Sequence, residues 1–265
     1  MNELQLILGI TRNLPRIKGS GAIANKILIP FYNRKKRKKT IHNVMEFKMK
    51  LDPHECTDSA VLFYPQLSDY KELESLSRLI KPTDTLVDLG SNIGFYSLAL
   101  SKMVPDGEVY AIEADPYNFS RLTENLSLNP DIENIKPLNI GISDKREVLT
   151  LGINDEGNRG GNSFLKKNSP VTVDVQCDSL NQVLNDNGVS NIGFLKIDIE
   201  GFEYKVLHHY FKNSSSDLYP RLILAEHNKS IKEVNLNELI DLFKNNGYRI
   251  IKDFGLNKLW QYHED

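Results

Sequence analysis

The 265-residue sequence has few cysteines, and their placement excludes a small cross-linked protein. Only Cys56 and Cys177 occur, far apart in the chain, with no C-x-x-C pair. No cysteine and histidine residues have the spacing of a zinc site either. A disulfide scaffold of the secreted type is therefore excluded, and the sequence favours a reducing compartment.

Long apolar runs are also absent. No stretch of 18 consecutive apolar residues occurs, so the sequence predicts no membrane-spanning helix. The apolar stretch 4–10 is soon followed by Arg12, Pro15 and Arg16, which is unlike the uninterrupted core of a secretory signal. We therefore expect a cytoplasmic protein. With 40% hydrophobic and 26% charged residues, the composition is typical of one large globular domain.

The net charge of -2 hides an uneven distribution. Residues 1–50 contain 12 Lys or Arg and two acidic residues, a balance of +10, so the rest of the chain carries -12. We predict a basic N-terminal extension, residues 1–45, and a folded domain, residues 46–265. The run 34–39 consists of six consecutive cations. It is either a solvated tail, part of a peripheral contact of residues 1–40 with an anionic membrane, or a nucleic-acid contact.

Alternating patterns predict an α/β fold with a mostly parallel sheet. Strands are predicted at 45–51, 85–89, 109–113, 135–140, 194–199, 222–226, 248–253 and 258–262. Helices are predicted at 69–80, 94–103, 116–128, 179–187, 202–211 and 236–246. Residues 146–176 alternate without helical spacing and predict a β excursion, with Gly157–Gly161 at its tip as a lid over the acceptor. The last two strands are joined by a short loop and must be antiparallel.

A strand, a glycine-bearing turn and a helix follow one another at Asp88-Leu-Gly-Ser-Asn-Ile-Gly94. Glycines let the backbone approach a ligand closely, and the helix N-terminus offers free N–H groups. Glu113 ends the next strand, where an acid can accept both hydroxyls of a nucleoside ribose. The alternative is a helix-capping loop without a ligand.

Nicotinamide and S-adenosylmethionine sites share this layout, but the spacing separates them. The dinucleotide pattern G-x-G-x-x-G has its second glycine where this chain has Asn92. Asp88 would repel a pyrophosphate and suits a ligand with an ammonium group, bound directly or through water. We therefore predict an S-adenosylmethionine site formed by the following residues: Asp88, Gly90, Ser91, Asn92, Gly94, Glu113, Ala114 and Asp198.

A second charged segment ends a later strand. Strand alternation in Leu195-Lys-Ile-Asp-Ile-Glu-Gly201 places Lys196, Asp198 and Glu200 on one face. Charges at the carboxyl end of a buried strand are costly unless they are paired or used, and ligands bind at that end of open sheets. The alternative is a Lys196–acid bridge that only closes a helix cap.

A third strand ends in Glu226-His227 at the same predicted sheet edge. A histidine there is either structural or a base, because an imidazole titrates near neutral pH. Asp198, Glu226 and His227 could also bind a divalent cation, but their spacing is not diagnostic and we predict no metal site.

These segments, in this order, resemble the FkbM family of S-adenosylmethionine-dependent methyltransferases over about residues 69–228. The most specific matches are four segments: Asp88–Gly94, Asn139–Asp144, Asp178–Leu180 and Leu195–Gly201. Ser91 stands where the family usually has alanine, and Cys177 where it usually has leucine. The resemblance implies a class I methyltransferase fold, Rossmann-like, with seven strands, the last antiparallel, and helices on both faces. It also implies O-methylation, commonly of sugars or polyketide-like products.

The expected reaction is methyl transfer to a hydroxyl of a glycan or small-molecule acceptor. Aligning the acceptor with the methyl group and removing its proton are the enzyme's main tasks. We predict Asp198 for positioning and Glu200 or His227 as the base. A nucleic-acid methyltransferase is disfavoured because no Asn/Asp-Pro-Pro-aromatic motif occurs. A non-catalytic nucleoside-binding module and a dehydrogenase remain as alternatives.

Overall fold

The computed structural model describes residues 3–13, 39–65, 69–154, 157–166, 168–227 and 236–263. The helices are α1 (Glu3–Arg12), α2 (Cys56–Phe63), α3 (Tyr70–Leu76), α4 (Phe95–Ser101), α5 (Pro116–Ser127), α6 (Leu180–Asp186), α7 (Glu203–Asn213) and α8 (Leu236–Asn245). The strands are β1 (Thr40–Val44), β2 (Phe47–Leu51), β3 (Thr85–Leu89), β4 (Glu108–Glu113), β5 (Ile135–Asn139), β6 (Gly141–Ser143), β7 (Glu147–Gly152), β8 (Thr172–Ser179), β9 (Phe194–Ile197), β10 (Leu222–Glu226), β11 (Tyr248–Asp253) and β12 (Asn257–Tyr262).

Within these ranges, seven strands form one sheet in the order β11-β12-β10-β9-β3-β4-β5. β12 runs antiparallel to both its neighbours, and the pairs from β10 to β5 are parallel. This arrangement confirms the predicted fold class, including the antiparallel last strand. The chain leaves β3 in one direction toward β4 and β5 and later returns on the other side at β9, which creates a topological switch point beside β3.

Alternation along the central strands divides the core into two layers. Leu86, Phe194 and Leu222 belong to the layer that contains the N-terminal elements and α4. Val87 and Leu195, the next residues along β3 and β9, belong to the opposite layer, which also contains α6, α7, α8 and Trp260. Both faces of the sheet are therefore covered, as continuous apolar strands require.

A second sheet, in the order β6-β8-β7, confirms the predicted β excursion within residues 146–176. β7 pairs antiparallel with β8, and β6 pairs parallel with β8. β8 continues to Ser179, three residues beyond the predicted end, where the Ser179 hydroxyl oxygen caps α6 by accepting from the Gln182 N–H.

The strand predicted over 45–51 is wrong at its start. Met45 has a left-handed backbone (φ 51°) in a turn, and the strand begins at Phe47 as the second arm of a hairpin with β1. Helix α2 was not predicted, because its apolar residues 60–63 are consecutive and give no helical spacing.

Helix α1 packs against α2, and Arg12 ties both to the hairpin. Its Nε donates to the Leu62 carbonyl oxygen (3.0 Å), and its Nη1 donates to the Asn43 carbonyl oxygen (2.8 Å).

The domain boundary at residue 45 falls inside the hairpin and stays a prediction. The cations of the basic run other than Lys39 lie outside the described residues, so the membrane contact of residues 1–40 also stays a prediction. None of the helices in the described ranges has the length and apolar character needed to cross a bilayer.

A buried ion pair joins the N-terminal elements to α5. Arg121 donates through both terminal nitrogens to the two carboxylate oxygens of Asp58, whose side chain is 1% exposed. The Asp52 backbone N–H also donates to Asp58 Oδ2 (2.6 Å). Burial raises the pKa of Asp58 and the Arg121 bonds oppose this, so the carboxylate depends on its partner.

Removal of the cation should therefore destabilise the protein strongly. We expect Arg121→Met to lower the free energy of unfolding by about 3–5 kcal/mol, because it leaves a buried carboxylate without its partner. Urea unfolding followed by circular dichroism measures this loss. Lys50→Met is the matched control, since Lys50 pairs with Glu124 at the surface and should cost under about 1 kcal/mol. Equal losses in both variants would contradict the assignment.

Candidate active site

A cavity lies at the carboxyl ends of β3, β4 and β9, beside the switch point of the sheet. Seven of the residues predicted from sequence line it: Gly90, Ser91, Asn92, Glu113, Ala114, Asp198 and Glu200. Asp88, Gly94 and His227, which were also predicted, do not line it. The carboxyl edge of the sheet thus brings together three chain segments that are up to 110 residues apart.

The turn after β3 is built by backbone conformations that few side chains tolerate. Gly90 has φ +80°, and a Cβ there would lie 1.9 Å from the Asp198 carbonyl oxygen. Asn92 is also left-handed (φ 51°), which points its backbone N–H at Glu113 Oε2 (2.8 Å). The turn therefore needs glycine at residue 90, and its Asn92 N–H is directed at the Glu113 carboxylate that lines the cavity.

Glu113, at the end of β4, is held by backbone donors on both oxygens. Asn92 N–H donates to Oε2, and Asp115 N–H donates to Oε1 (2.9 Å). Burial raises the pKa of Glu113 to about 7, and the two backbone bonds oppose that shift. The carboxylate is thus fixed in orientation, and each of its oxygens has a second lone pair for a ligand hydroxyl.

Lys196 bridges two acidic residues beneath and beside the cavity. It lies opposite Asp88 in the β3–β9 register, with its Nζ 3.7 Å from Asp88 Oδ1 and 3.2 Å from Asp198 Oδ2. Asp88 is fully buried, whereas the Asp198 side chain is 38% exposed and lines the cavity. Asp198 is therefore the carboxylate that a ligand can reach, and Asp88 lies behind it.

Glu200 borders the cavity just after Asp198. Its backbone is left-handed (φ 53°), and the Ser163 hydroxyl donates to its carbonyl oxygen (2.6 Å). Burial raises the pKa of Glu200 to about 7, with a smaller contribution from the negative charges of Asp198 and Glu203. A carboxylate with this pKa can accept a proton near neutral pH.

Two of the predicted site residues, Gly94 and His227, are packed against core side chains and not against the cavity. Gly94 begins α4 with φ +86°, and a Cβ there would lie 2.5 Å from Leu122 Cδ1. The His227 ring is buried, contacts Phe243 and Trp260 in stacked geometry, and has its Nδ1 3.0 Å from the Ala225 carbonyl oxygen. Burial lowers the pKa of His227.

Strand alternation explains the placement of His227. Ile223 and Ala225 face the layer that contains Trp260, and His227 continues that side of β10. Leu224 faces the opposite layer and lies beside Lys196 of β9, so Glu226, and not His227, continues the side of the sheet that carries Lys196 and Asp198. The prediction of His227 as a base therefore has no support from the geometry, and the period of two could have excluded it.

Asp198, Glu226 and His227 do not form a metal-binding cluster. Among the residues that the structure describes, no group of three or more His, Cys, Asp or Glu side chains is arranged to hold a metal ion.

The segment 157–166 covers part of the cavity, where the glycine-rich lid was predicted. Arg159 and Asn162 line the cavity, and both donate to Asp115 Oδ2, at 3.1 and 2.8 Å. The Arg159 backbone N–H donates to Glu55 Oε2 (3.1 Å). Asp115 also caps α5 through the Tyr117 N–H. The cover is thus latched to the loop that follows Glu113, and its movement stays a prediction.

Several lining residues were missed because distant parts of the chain supply them. Thr57 on α2 and Asp69 before α3 come from the N-terminal side. An apolar wall is formed by Ile112, Ile140, Ile142, Leu151 and Phe164. The sequence predicts that these apolar residues lie in or just after strands. It does not predict that they converge on one cavity, because that depends on how the second sheet packs on the first.

Sequence comparison finds related methyltransferases. Methyltransferase sdnD of Sordaria araneosa is 29% identical over 151 residues, which cover 46% of this chain and 58% of that protein. The 31-O-demethyl-FK506 methyltransferase FkbM of Streptomyces tacrolimicus is 24% identical over 205 residues, 66% of this chain and 76% of that protein. The matches therefore span about three fifths to three quarters of these relatives.

Structural comparison gives a similar neighbour. Methyltransferase FkbM from Methylobacillus flagellatus is 16% identical with a TM-score of 0.48, covering 98% of this chain and 58% of that chain. The sequence pattern of the family described as the Methyltransferase FkbM domain matches residues 88–250, more than half of the chain and most of the cavity. The chain therefore belongs to the FkbM methyltransferase family.

Proposed function

We propose that the protein is an S-adenosylmethionine-dependent O-methyltransferase that acts on a hydroxyl of a sugar, glycan or small polyketide-like molecule. The observation that carries the proposal is one cavity that places Glu113, the Gly90 turn, Asp198 and Glu200 along a single sheet edge. Membership of the methyltransferase family supports the reaction class. The name of the Streptomyces relative, 31-O-demethyl-FK506 methyltransferase, specifies methylation at an oxygen, which supports a hydroxyl acceptor.

The chemistry of the cavity wall fits an adenosyl sulfonium. Glu113 offers fixed carboxylate oxygens for ribose hydroxyls, and the apolar wall around Ile142 and Phe164 suits a flat purine. Asp198 provides a negative charge for the ammonium group of the methionine part. Behind it, Asp88 has a fully buried Oδ1 that accepts no hydrogen bond within the described ranges. Glu113, the apolar wall and Asp198 would hold the ribose, the purine and the amino-acid part respectively.

Bound S-adenosylmethionine supplies an electrophilic methyl group on a positively charged sulfur. The protein's own tasks are to align the acceptor oxygen, exclude water and take up the acceptor proton. Asp198 positions ligand groups at the cavity wall. Glu200, two residues after Asp198 in the chain, receives the acceptor proton on its carboxylate. The segment 157–166 excludes water through its latch on Asp115.

Ligand binding tests the proposed cofactor. S-adenosylhomocysteine at about 100 times its Kd should stabilise the native state by about 2.7 kcal/mol and raise Tm, whereas NAD should leave it unchanged. Asp198→Asn should reduce the shift because the ammonium loses its counterion. Asp144→Asn is the control, since Asp144 pairs with Lys205 outside the cavity. Absence of a shift with both S-adenosylmethionine and S-adenosylhomocysteine would overturn the proposal.

Glu200→Gln should remove the base. We expect turnover of a hydroxyl acceptor found by screening to fall about 100-fold, and the rise of wild-type kcat with pH through about 7 to disappear. Glu108→Gln, an exposed carboxylate at the opposite end of β4, should change neither. A Glu200→Gln enzyme with wild-type turnover and pH profile would refute this role.

Glu200→Gln should also change the pH dependence of stability, which can be measured without a substrate. Because burial raises the folded-state pKa of Glu200 above its ordinary 4.5, ionisation costs stability as pH rises from about 4.5 through 7. Glu200→Gln should therefore gain stability relative to wild type at pH 8 and not at pH 4, as measured by urea unfolding.

The latch on the cover segment can be opened without touching Glu113. Arg159→Met combined with Asn162→Ala removes both side-chain donors to Asp115 and should speed S-adenosylhomocysteine dissociation about tenfold, measured by stopped flow. Arg146→Met is the matched control, because the exposed Arg146 pairs with a carboxylate, Asp178, that does not line the cavity. Unchanged dissociation in the double variant would count against a cover that retains the ligand.

A further inference from the structure

Lys196 is shared unequally by two carboxylates. Its Nζ donates to Asp198 Oδ2 at 3.2 Å but lies 3.7 Å from Asp88 Oδ1, beyond hydrogen-bond distance. Its side chain is 10% exposed, and the Tyr96 ring centroid lies 5.3 Å from Nζ. A movement of about 1 Å toward Asp88 would complete one bond and break the other.

Asp88 is prepared to receive that bond. The Ser97 hydroxyl donates to Oδ2 (2.6 Å) and fixes the carboxylate, while Oδ1 is buried and accepts no hydrogen bond from the residues that the structure describes. Leaving a buried carboxylate oxygen without a donor costs free energy, which favours movement of Lys196 toward it. Asp88 does not line the cavity, and Lys196 is the cation that lies beside its unbonded oxygen in the part of the chain that the structure describes.

The charges around Lys196 are predominantly acidic. Burial alone would lower the pKa of Lys196, but Asp198 and Asp88 raise it above its ordinary value, so the ammonium stays charged. The titratable groups that face it from the surrounding elements are Asp69, Glu72, Asp88, Tyr96, Asp198, Glu200 and Glu226. The acidic surroundings therefore favour a second cation, the ammonium group of the ligand, beside Asp198 once Lys196 has moved away.

We propose that Lys196 is a movable internal counterion that leaves Asp198 for Asp88 when the ammonium group of the ligand binds at Asp198. Lys196 is then a positioning residue: it orients Asp198 in the free protein and yields its place to the ligand. This inference rests on the proposed function, because it assigns the cavity a ligand with an ammonium group.

The exchange predicts a reversal of mutational effects. Asp88→Asn removes the negative charge that would attract Lys196, so Lys196 stays on Asp198 and competes with the ligand. We expect this variant to bind S-adenosylhomocysteine at least about tenfold more weakly, although residue 88 does not line the cavity. Adding Lys196→Met to Asp88→Asn removes the competitor and should restore the affinity to that of Lys196→Met alone.

Isothermal titration calorimetry with S-adenosylhomocysteine on the wild type, both single variants and the double variant measures this cycle. Lys205→Met is the matched control, because Lys205 also pairs with two carboxylates but lies outside the cavity. It should change Kd less than about twofold. Wild-type affinity in Asp88→Asn, or losses that simply add in the double variant, would overturn the proposal.

A ligand-free measurement covers the case in which Asp88→Asn does not fold. In Lys196→Met, the buried Asp88 loses its cation, and burial already raises the pKa of this carboxyl. Stability is then retained at low pH and lost as pH rises above the ordinary value near 4. The deficit of Lys196→Met relative to wild type should grow between pH 5 and pH 8 in urea unfolding, and a constant deficit would refute the pairing. If the wild type binds no S-adenosylhomocysteine while this deficit grows, the proposed function fails and the pairing stands.

Discussion

All parallel strands of a sheet end at one edge, and this constraint gathers the polar groups of the protein. The first turn, the end of β4 and the end of β9 are distant in sequence, yet they form one wall because their strands are neighbours. The same geometry places Asp88 and Lys196 opposite each other inside the domain, where water cannot screen them. The buried Asp88 carboxylate has its resident cation in Lys196, whereas the buried Glu113 carboxylate is held by backbone N–H donors.

Much of the wall was predictable because its signals are local. Glu113 and Asp198 each end a short apolar run that is followed by a turn, and parallel strands then bring them together. His227 shows the limit of counting residues without following strand faces, since its ring turns into the aromatic layer beside Trp260. Thr57 and Asp69 could not be predicted, because no local pattern says where a preceding hairpin and helix will pack. The pairing of Asp115 with the cover segment is equally non-local.

The family match and the cavity do not have the same extent. The match begins at residue 88, whereas Thr57 and Asp69 line the cavity from outside it. Elements α1, β1, β2 and α2 are attached to the common fold through contacts such as the Asp58–Arg121 pair. The shared region thus carries the groups proposed for the cofactor, and the unshared region adds part of the wall.

The position of β12 has a consequence for how the chain reaches its native state. This last strand lies between β10 and β11, and its Trp260 is fully buried in the layer beside Phe243. During synthesis, β10 therefore emerges with an unpaired edge that stays open until residues 257–262 have left the ribosome. Open strand edges invite pairing with other chains. A nascent or truncated chain that stops before β12 is consequently the species most exposed to aggregation and to chaperone capture.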